Sequence, residues 1–547
     1  MKTKTVQGYL ADVPTRSFVP SRILIREGRI KKIETIDKPV DDIYILPGLV
    51  DSHIHIESSM LSPQQFSRIA MKHGTVATVS DPHEIANVLG RKGIEFMVRD
   101  GNRSPVKFYF GVPSCVPATP FETAGAVLDS NIVGELLHEA RFKYLAEMMN
   151  FPGVVHQDEE VMRKISLAHQ VNKPIDGHAP GVRGEDLKKY ASAGITTDHE
   201  CHDYEEAREK IRAGMTIQIR EGSAARDFDA LYPLIDEYPE QVMLCSDDRH
   251  PDDLIDGHID KLIRMGQERG LDFFNLLIAA TWNPVKHYDL EVGLLREGDP
   301  ADFILVDDPR KFTMLGVYIG GQQVYDSEHE RTLYEPLSED HPNVMNAREL
   351  SADDFRVPAR GDKIRVIHAQ DNELYTSSSV EKVTPRAGYL EADTEKDMLK
   401  IAVVNRYQPQ QPAVAFIRNF GLNKGALATS IAHDSHNLMA VGADDQSLQE
   451  ALNQLIRQKG GIVVWDGEKA EGLPLEIAGL MTHQPGEEVA RRYQELSGLA
   501  RKLGCTLEAP FMTLSFMALP VIPELKITDK GLFDVTRFEH TGLFAGE

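Results

Sequence analysis

The stretch Leu46-Pro47-Gly48-Leu49-Val50-Asp51-Ser52-His53-Ile54-His55-Ile56-Glu57 reads as a short buried strand, entered through a Pro-Gly turn and left through polar side chains. Residues two apart on a strand point the same way, so His53, His55 and Glu57 are expected on one face. Paired neutral imidazoles at a strand end suit a divalent metal. The plain alternative is a half-buried strand that happens to carry two histidines. The chain beyond it decides between the two.

Outward from this stretch, strand-like and helix-like segments alternate. Strands are expected at 49–56, 75–79, 107–112, 144–148, 174–177, 194–198, 216–220 and 242–245. Helices are expected at 185–193, 205–213, 254–267 and 273–280, the last stopped by Trp282-Asn283-Pro284. Eight such units in roughly 230 residues match an α/β fold, the (β/α)8 TIM barrel. A doubly wound open sheet is the competing architecture, but no Gly-rich phosphate loop follows the first strand.

Short strands at 22–25 and 29–33, around a Glu27-Gly28 turn, lie before the barrel; others at 300–306 and 317–324 lie after it. They are expected to pair into one small β-subdomain built from both flanks, residues 1–46 plus 294–337, with the barrel at 47–293 inserted between them. The polar stretch 338–346 reads as a linker. A C-terminal α+β domain then covers 350–547, with strands at 364–369, 399–404 and 461–464 and helices at 447–458 and 485–503.

In a barrel of this kind the chemistry sits at the C-terminal ends of the strands. Those ends carry His53 and His55, then Asp81, His83 and Glu84, then Glu147, His178, His199, and finally Ser246, Asp247 and Asp248. Random scatter would not phase ligands with strands so regularly. Four histidines and two carboxylates make a nitrogen and oxygen set for two divalent ions, Mn2+, Fe2+ or Zn2+. Two close ions need an anionic bridge. Glu147 is favoured over Lys143, which would bridge only as a carbamate and lies at the wrong end of its strand. A metal-bridged hydroxide would be the nucleophile, and Asp247 would ligate a metal and carry the proton. Such machinery hydrolyses sp2 carbon: amides, cyclic ureas or amidine-like C–NH2 groups of heterocycles. His202 and Asp203 read as loop residues. The other zinc-deaminase pattern, His-x-Glu with Pro-Cys-x-x-Cys, is not met, since the chain has no Cys-x-x-Cys.

Composition narrows the class further. A chain of 547 residues, 41% hydrophobic and 26% charged, suits two or three globular domains. A formal charge of −24 argues against nucleic-acid partners. Cys115, Cys201, Cys245 and Cys505 are scattered as reduced thiols would be. The stretch 1–14 has no apolar signal core, and no apolar run is long enough to span a bilayer, so a soluble cytoplasmic protein is expected, with no membrane partner.

The segment from Pro47 to His55 resembles the metal-binding start of the amidohydrolase superfamily, and 293–306 resembles its return strand. His53-Ile54-His55-Ile56-Glu57-Ser58-Ser59-Met60, Asp81-Pro82-His83-Glu84, Ala146-Glu147-Met148-Met149-Asn150, Gly177-His178-Ala179-Pro180-Gly181, Thr197-Asp198-His199-Glu200 and Cys245-Ser246-Asp247-Asp248 are similar to the adenine deaminase family. So are Ile431-Ala432-His433-Asp434-Ser435-His436-Asn437 and Leu514-Ser515-Phe516-Met517-Ala518-Leu519-Pro520. The resemblance implies hydrolytic deamination of adenine to hypoxanthine and ammonia, a purine-salvage reaction, at two ions, Mn2+ or Fe2+. It implies the ligands His53, His55, Glu147, His178, His199 and Asp247, a glutamate in place of a bridging lysine, and a homodimer. Glu57, His83 and Glu84 are read as an extra metal site or as outer support for His53 and His55. The cluster His433, Asp434, Ser435 and His436 is read either as a capped turn or as part of the substrate pocket. Two rivals stand beside this reading: another amidohydrolase acting on a cyclic amide or ureide, and a catalytically inert scaffold.

Overall fold

The computed structural model describes residues 3–223, 225–328, 331–332, 340–371 and 373–546. Eight strands line a barrel: β1 Leu49–Ile54, β2 Thr75–Ser80, β3 Lys107–Phe110, β4 Leu145–Met148, β5 Ile175–Gly177, β6 Thr197–Asp198, β7 Thr216–Arg220 and β8 Val242–Cys245. They pair in parallel as β1-β2-β3, β4-β5 and β6-β7-β8. A Val112–Leu145 bridge joins the first group to the second, and Thr196 N–H donates to the Ile175 carbonyl at 2.9 Å to join the second to the third. The ring closes where Ile54 bridges Asp247 and Asp247 N–H donates to the His53 carbonyl at 3.0 Å. Gly48 is required at the mouth of β1, because a Cβ there would lie 2.4 Å from Val76.

Most of the barrel strands are buried on both faces because helices cover the outside. Val50, Val76, Val79, Ile217, Ile219, Val242 and Leu244 are fully buried in the largest core. Each such side chain contributes about 1.5–3 kcal/mol on burial. Several covering helices start on an acidic or hydroxyl cap: Ser62 for Pro63–Ala70, Asp129 for Ser130–Leu137, Asp158 for Glu159–Gln170 and Asp203 for Tyr204–Arg212.

Both flanks of the barrel enter one eight-stranded sheet, in the order Arg331–Thr332, Gln322–Asp326, Met314–Ile319, Phe303–Val306, Tyr44–Pro47, Lys4–Asp12, Ser17–Arg26 and Arg29–Thr35. The seam is antiparallel, with Phe303 opposite Pro47 and Val306 opposite Tyr44.

The chain divides into two compact units: Met1–Pro82, Met97–Ser114 and Asp129–Ser338 form one; His83–Phe96, Cys115–Leu128 and Glu339–Glu547 form the other. The second unit has its own eight-stranded sheet, with Ser377–Lys382 at one edge and Ala470–Pro474 at the other. Helix Asp445–Arg457 packs Leu448, Ala451, Leu452 and Leu455 against the small residues Ala402, Ala426, Ala428 and Ala440 of that sheet. Asp444 caps it by accepting from Ser447 N–H at 2.8 Å.

Four local expectations need correction. The first strand ends at Ile54 rather than at 56, and the chain passes into a 3-10 turn, Ile56–Ser59. The expected helix 254–267 is two helices, Pro251–Asp256 and Ile259–Glu268. It breaks at Gly257, whose carbonyl accepts from the buried Arg249 guanidinium at 2.7 Å. The helix before Pro284 does not stop: Phe273–Leu277 continues through a π-helical turn, Ile278–Trp282, into Asn283–His287. Pro284 stands where the π-helical turn passes back into α-helix, the kind of local irregularity at which a missing N–H is accommodated. Of the expected linker, residues 338–339 lie outside the described residues. The remainder is held rather than loose, with Asn346 N–H donating to the Arg406 carbonyl at 2.7 Å and Arg406 donating to Asn343 and the Val344 carbonyl at 2.8 Å.

Candidate active site

β1 delivers His53 and His55 to the barrel interior, where their Nε2 atoms lie 3.2 Å apart. His55 Nδ1–H donates to the Asp81 carbonyl at 3.2 Å, so its Nε2 turns a lone pair toward His53. From β4, Glu147 Oε2 accepts from His178 Nδ1 at 3.0 Å and lies 3.0 Å from His199 Nε2. Its Oε1 lies 3.4 Å from His55 Nε2. Asp247 follows β8 with φ 53°, a left-handed conformation that Asp tolerates. Its Oδ1 lies 3.2 Å from His55 Nε2 and 3.5 Å from His53 Nε2. The six residues expected to gather do gather.

All but His178 are at most 5% exposed. Burial alone would raise the Glu147 carboxyl, but His178 and His199 hold it well below the usual carboxylate range. Burial likewise acts to raise Asp247, and His53, His55 and Arg220 hold it down. Burial acts to lower His178, yet Glu200 and Glu147 keep it at about 9.

The donor set fits divalent cations. Ligand atoms of His53, His55 and Asp247 lie within 4.8 Å of one another, as do those of His53, Glu147 and His199, and of His178, His199 and Glu200. Imidazole lone pairs and carboxylates aimed at common points in a dry interior repel unless positive charge lies between them. No thiolate takes part in these groups. Lys143 is not among these ligands; its Nζ donates to the Asp289 carbonyl at 3.2 Å.

Other expected residues take different places. Glu57 is buried on the 3-10 turn, so it does not share a strand face with His53 and His55. Asp203 caps a helix, accepting from Glu206 N–H at 2.9 Å, and His202 pairs with Asp227 at 2.8 Å. Asp248 accepts from the Ser58 hydroxyl at 2.5 Å, and Ser246 donates to Asp51 at 2.5 Å.

In the second unit, His83 opens helix His83–Leu89, and Glu84 follows it. Glu84 Oε1 accepts from His433 Nδ1 at 2.6 Å, and Oε2 accepts from His436 Nε2. The His436 tautomer is fixed, since Ala432 N–H donates to its Nδ1 at 3.2 Å. His433 stacks on Phe516 with ring centroids 4.7 Å apart. His83, Glu84 and Asp434 also bring ligand atoms within 4.8 Å of one another. The Ser435 carbonyl accepts from Tyr407. The cluster is thus buried and engaged with a carboxylate of its own unit.

Sequence reasoning missed three buried side chains. Arg220, at the end of β7, donates to Glu200 and to Asp247. His258 stands at the helix break and donates through Nε2 to Asp51 at 2.7 Å, while the Thr75 hydroxyl bonds its Nδ1 at 2.6 Å. Asp51 in turn accepts from the backbone N–H of Ser246 at 3.1 Å and of His53 at 3.3 Å, tying β8 to β1 beneath the ligands. The sequence places Arg220 at the end of the alternating strand Thr216-Ile217-Gln218-Ile219 but gives no sign of its partners.

Comparison with known proteins bears directly on this site. The amidohydrolase family model matches residues 44–324, and the adenine deaminase C-terminal domain model matches 373–539. Adenine deaminase of Methanosarcina mazei is 55% identical, with 100% of both chains covered. Adenine deaminase of Salinibacter ruber is 52% identical over 99% of each, and that of Borreliella burgdorferi 44% identical over 97% of this chain and 98% of its own. Matches of this length run through the barrel, the flanking strands and the second unit alike, so the chain belongs to the amidohydrolase family and, within it, to the adenine deaminase family.

Proposed function

We propose that this chain hydrolyses adenine to hypoxanthine and ammonia. The observation that carries the reading is the convergence of four imidazoles on Glu147 and Asp247, in a chain aligned end to end with relatives named for that reaction. His53, His55 and Asp247 would hold one divalent ion, His178 and His199 a second, and Glu147 would span them. Mn2+ or Fe2+ suits this nitrogen and oxygen set, with Zn2+ as a third candidate. Bound there, such ions acidify water and neutralise charge that develops during addition. Asp247 Oδ1 takes the proton lost by water as it adds to C6, and returns it to the amino group, which leaves as ammonia. Glu147, kept ionised by His178 and His199, would serve as a ligand to such ions.

A homodimer in the cytoplasm completes the proposal. The dimer rests on the family resemblance, and the location on four buried cysteines that form no disulfide and on the absence, among the described residues, of a helix able to cross a membrane.

Ammonia release from adenine, adenosine, cytosine and dihydrouracil by Mn2+-loaded protein tests the reading. Turnover of adenine alone is expected, with a loss of at least ~1000-fold in Asp247→Asn, a change that spares the backbone conformation. A protein that binds two metals and leaves adenine untouched would refute the substrate; dihydrouracil turnover would favour the cyclic-amide rival.

A further inference from the structure

Arg220 is 1% exposed and spends its guanidinium on three carboxylates. Nη1 donates to Glu200 Oε1 at 2.5 Å and to Asp247 Oδ2 at 2.9 Å; Nη2 donates to Glu200 Oε2 at 3.0 Å. Nε donates to Asp227 Oδ2 at 2.8 Å, which anchors the arginine itself. Asp227 is fixed in turn by His202 at 2.8 Å and by its own N–H, which donates to the Arg220 carbonyl at 3.1 Å.

Two consequences follow for the ligand set. Asp247 has two oxygens, and Arg220 takes Oδ2, so only Oδ1 faces His53 and His55. Glu200 Oε1 lies 3.5 Å from both His178 Nδ1 and His199 Nε2, near enough to join them as a ligand. Arg220 grips Glu200 with a bidentate fork that uses both carboxylate oxygens. A lysine, as a point charge, could not hold both oxygens in fixed directions.

We propose that Arg220 is a positioning residue that decides which carboxylate oxygens reach the metals: it keeps Asp247 to a single facing oxygen and withholds Glu200. This rests on the proposed two-metal reading of the barrel site. Without the arginine, Glu200 becomes a buried, unpaired carboxylate beside two imidazoles and competes for the cation. Asp247, released at Oδ2, becomes free to rotate or to chelate with both oxygens.

The test is Mn2+ binding to metal-free protein by equilibrium dialysis, together with kcat and KM for adenine. The chains compared are wild type, Arg220→Lys, Arg220→Met and Arg220→Met/Glu200→Gln. Arg220→Met should bind Mn2+ at least ~3-fold more tightly while kcat falls ~100-fold and KM moves less than ~3-fold. Adding Glu200→Gln should return the affinity to the wild-type value and recover ~10-fold in kcat. Arg220→Lys, which keeps the buried charge, should stay folded, lose ~10-fold in kcat and hold Mn2+ as wild type does. Mn2+ affinity that falls in parallel with thermal stability, with no recovery on Glu200→Gln, would reduce Arg220 to a structural role and overturn the proposal. So would Arg220→Lys with kcat within twofold of wild type. Wild type that binds Mn2+ without deaminating adenine would refute the proposed reaction instead, and the affinity series would still decide the role of Arg220.

Discussion

Each unit contains a buried glutamate held by two histidines, and the two are built for different ends. In the barrel, His178 and His199 both approach one oxygen of Glu147, each at 3.0 Å, while His55 faces the other at 3.4 Å. In the second unit, His433 and His436 each take a separate oxygen of Glu84. Burial pushes His436 down to about 4, so at neutral pH it is an uncharged donor, and its other nitrogen is satisfied by Ala432 N–H. Glu84 thus has one of these imidazoles on each oxygen, and His83 Nε2 lies 3.5 Å from its Oε1 as well. Around Glu147 several nitrogens and carboxylates share a common point, as donors awaiting a cation do. Residue types alone do not separate the two arrangements; whether the imidazoles share one carboxylate oxygen or take one each does.

Substituting the two glutamates should separate them most sharply. Glu147→Gln is expected to lose at least ~1000-fold in activity and about one equivalent of bound metal, read by kinetics and elemental analysis. Glu84→Gln should keep both equivalents of metal in the barrel. It should instead cost about 1–3 kcal/mol in the second unit, because one imidazole loses its acceptor in a dry site, and a thermal melt would register it. Metal loss from the second variant would break the distinction.

Buried cations sharpen the same contrast on a smaller scale. Arg220 in the barrel meets three carboxylates, whereas Lys526 in the second unit donates, among the described residues, only to the carbonyls of Leu374, at 2.7 Å, and Phe516, at 3.1 Å. Without a counter-charge among those residues, burial pulls Lys526 down to about 7, below the ordinary lysine value of 10.5. Between these values the unfolded chain binds the extra proton and the folded one does not. Stability of the second unit should therefore rise relative to Lys526→Met as pH increases from about 7 toward 10, and level off below 7. Paired melts from pH 6.5 to 9.5 would check this, and parallel curves would remove Lys526 from the contrast.

Much of this organisation was legible in the chain because it is periodic. Apolar runs of strand length mark β1 through β8, and ligands at their ends mark the face where the chemistry lies. β7 and β8 begin and end where the pattern puts them, at Thr216–Arg220 and Val242–Cys245. The pattern misled where a single polar contact overrides local preference. Nothing in 254–267 announces that Arg249 will take the Gly257 carbonyl and release His258 toward Asp51. Arg220 was equally hidden, since its partners lie on three separate segments and its sequence neighbours give no hint of them. Glu57 shows the limit of strand alternation: it lies three residues past the end of β1, already on the 3-10 turn. Periodicity finds the ligands; the residues that orient them appear only in three dimensions.

The seam between the flanks, where Pro47 meets Phe303 across about 255 residues of intervening chain, also sets an order of events during synthesis. The hairpins formed by Lys4–Asp12, Ser17–Arg26 and Arg29–Thr35 are local and can form as they leave the ribosome. Tyr44–Pro47, which binds that sheet through Tyr9 and Leu10, must then present a bare edge until Phe303–Val306 has been made. At about 5–20 residues per second that wait is on the order of 10–50 s. The barrel is thus folded within a sheet that cannot be completed before it, and a nascent chain halted inside the barrel would expose an unpaired strand to its neighbours.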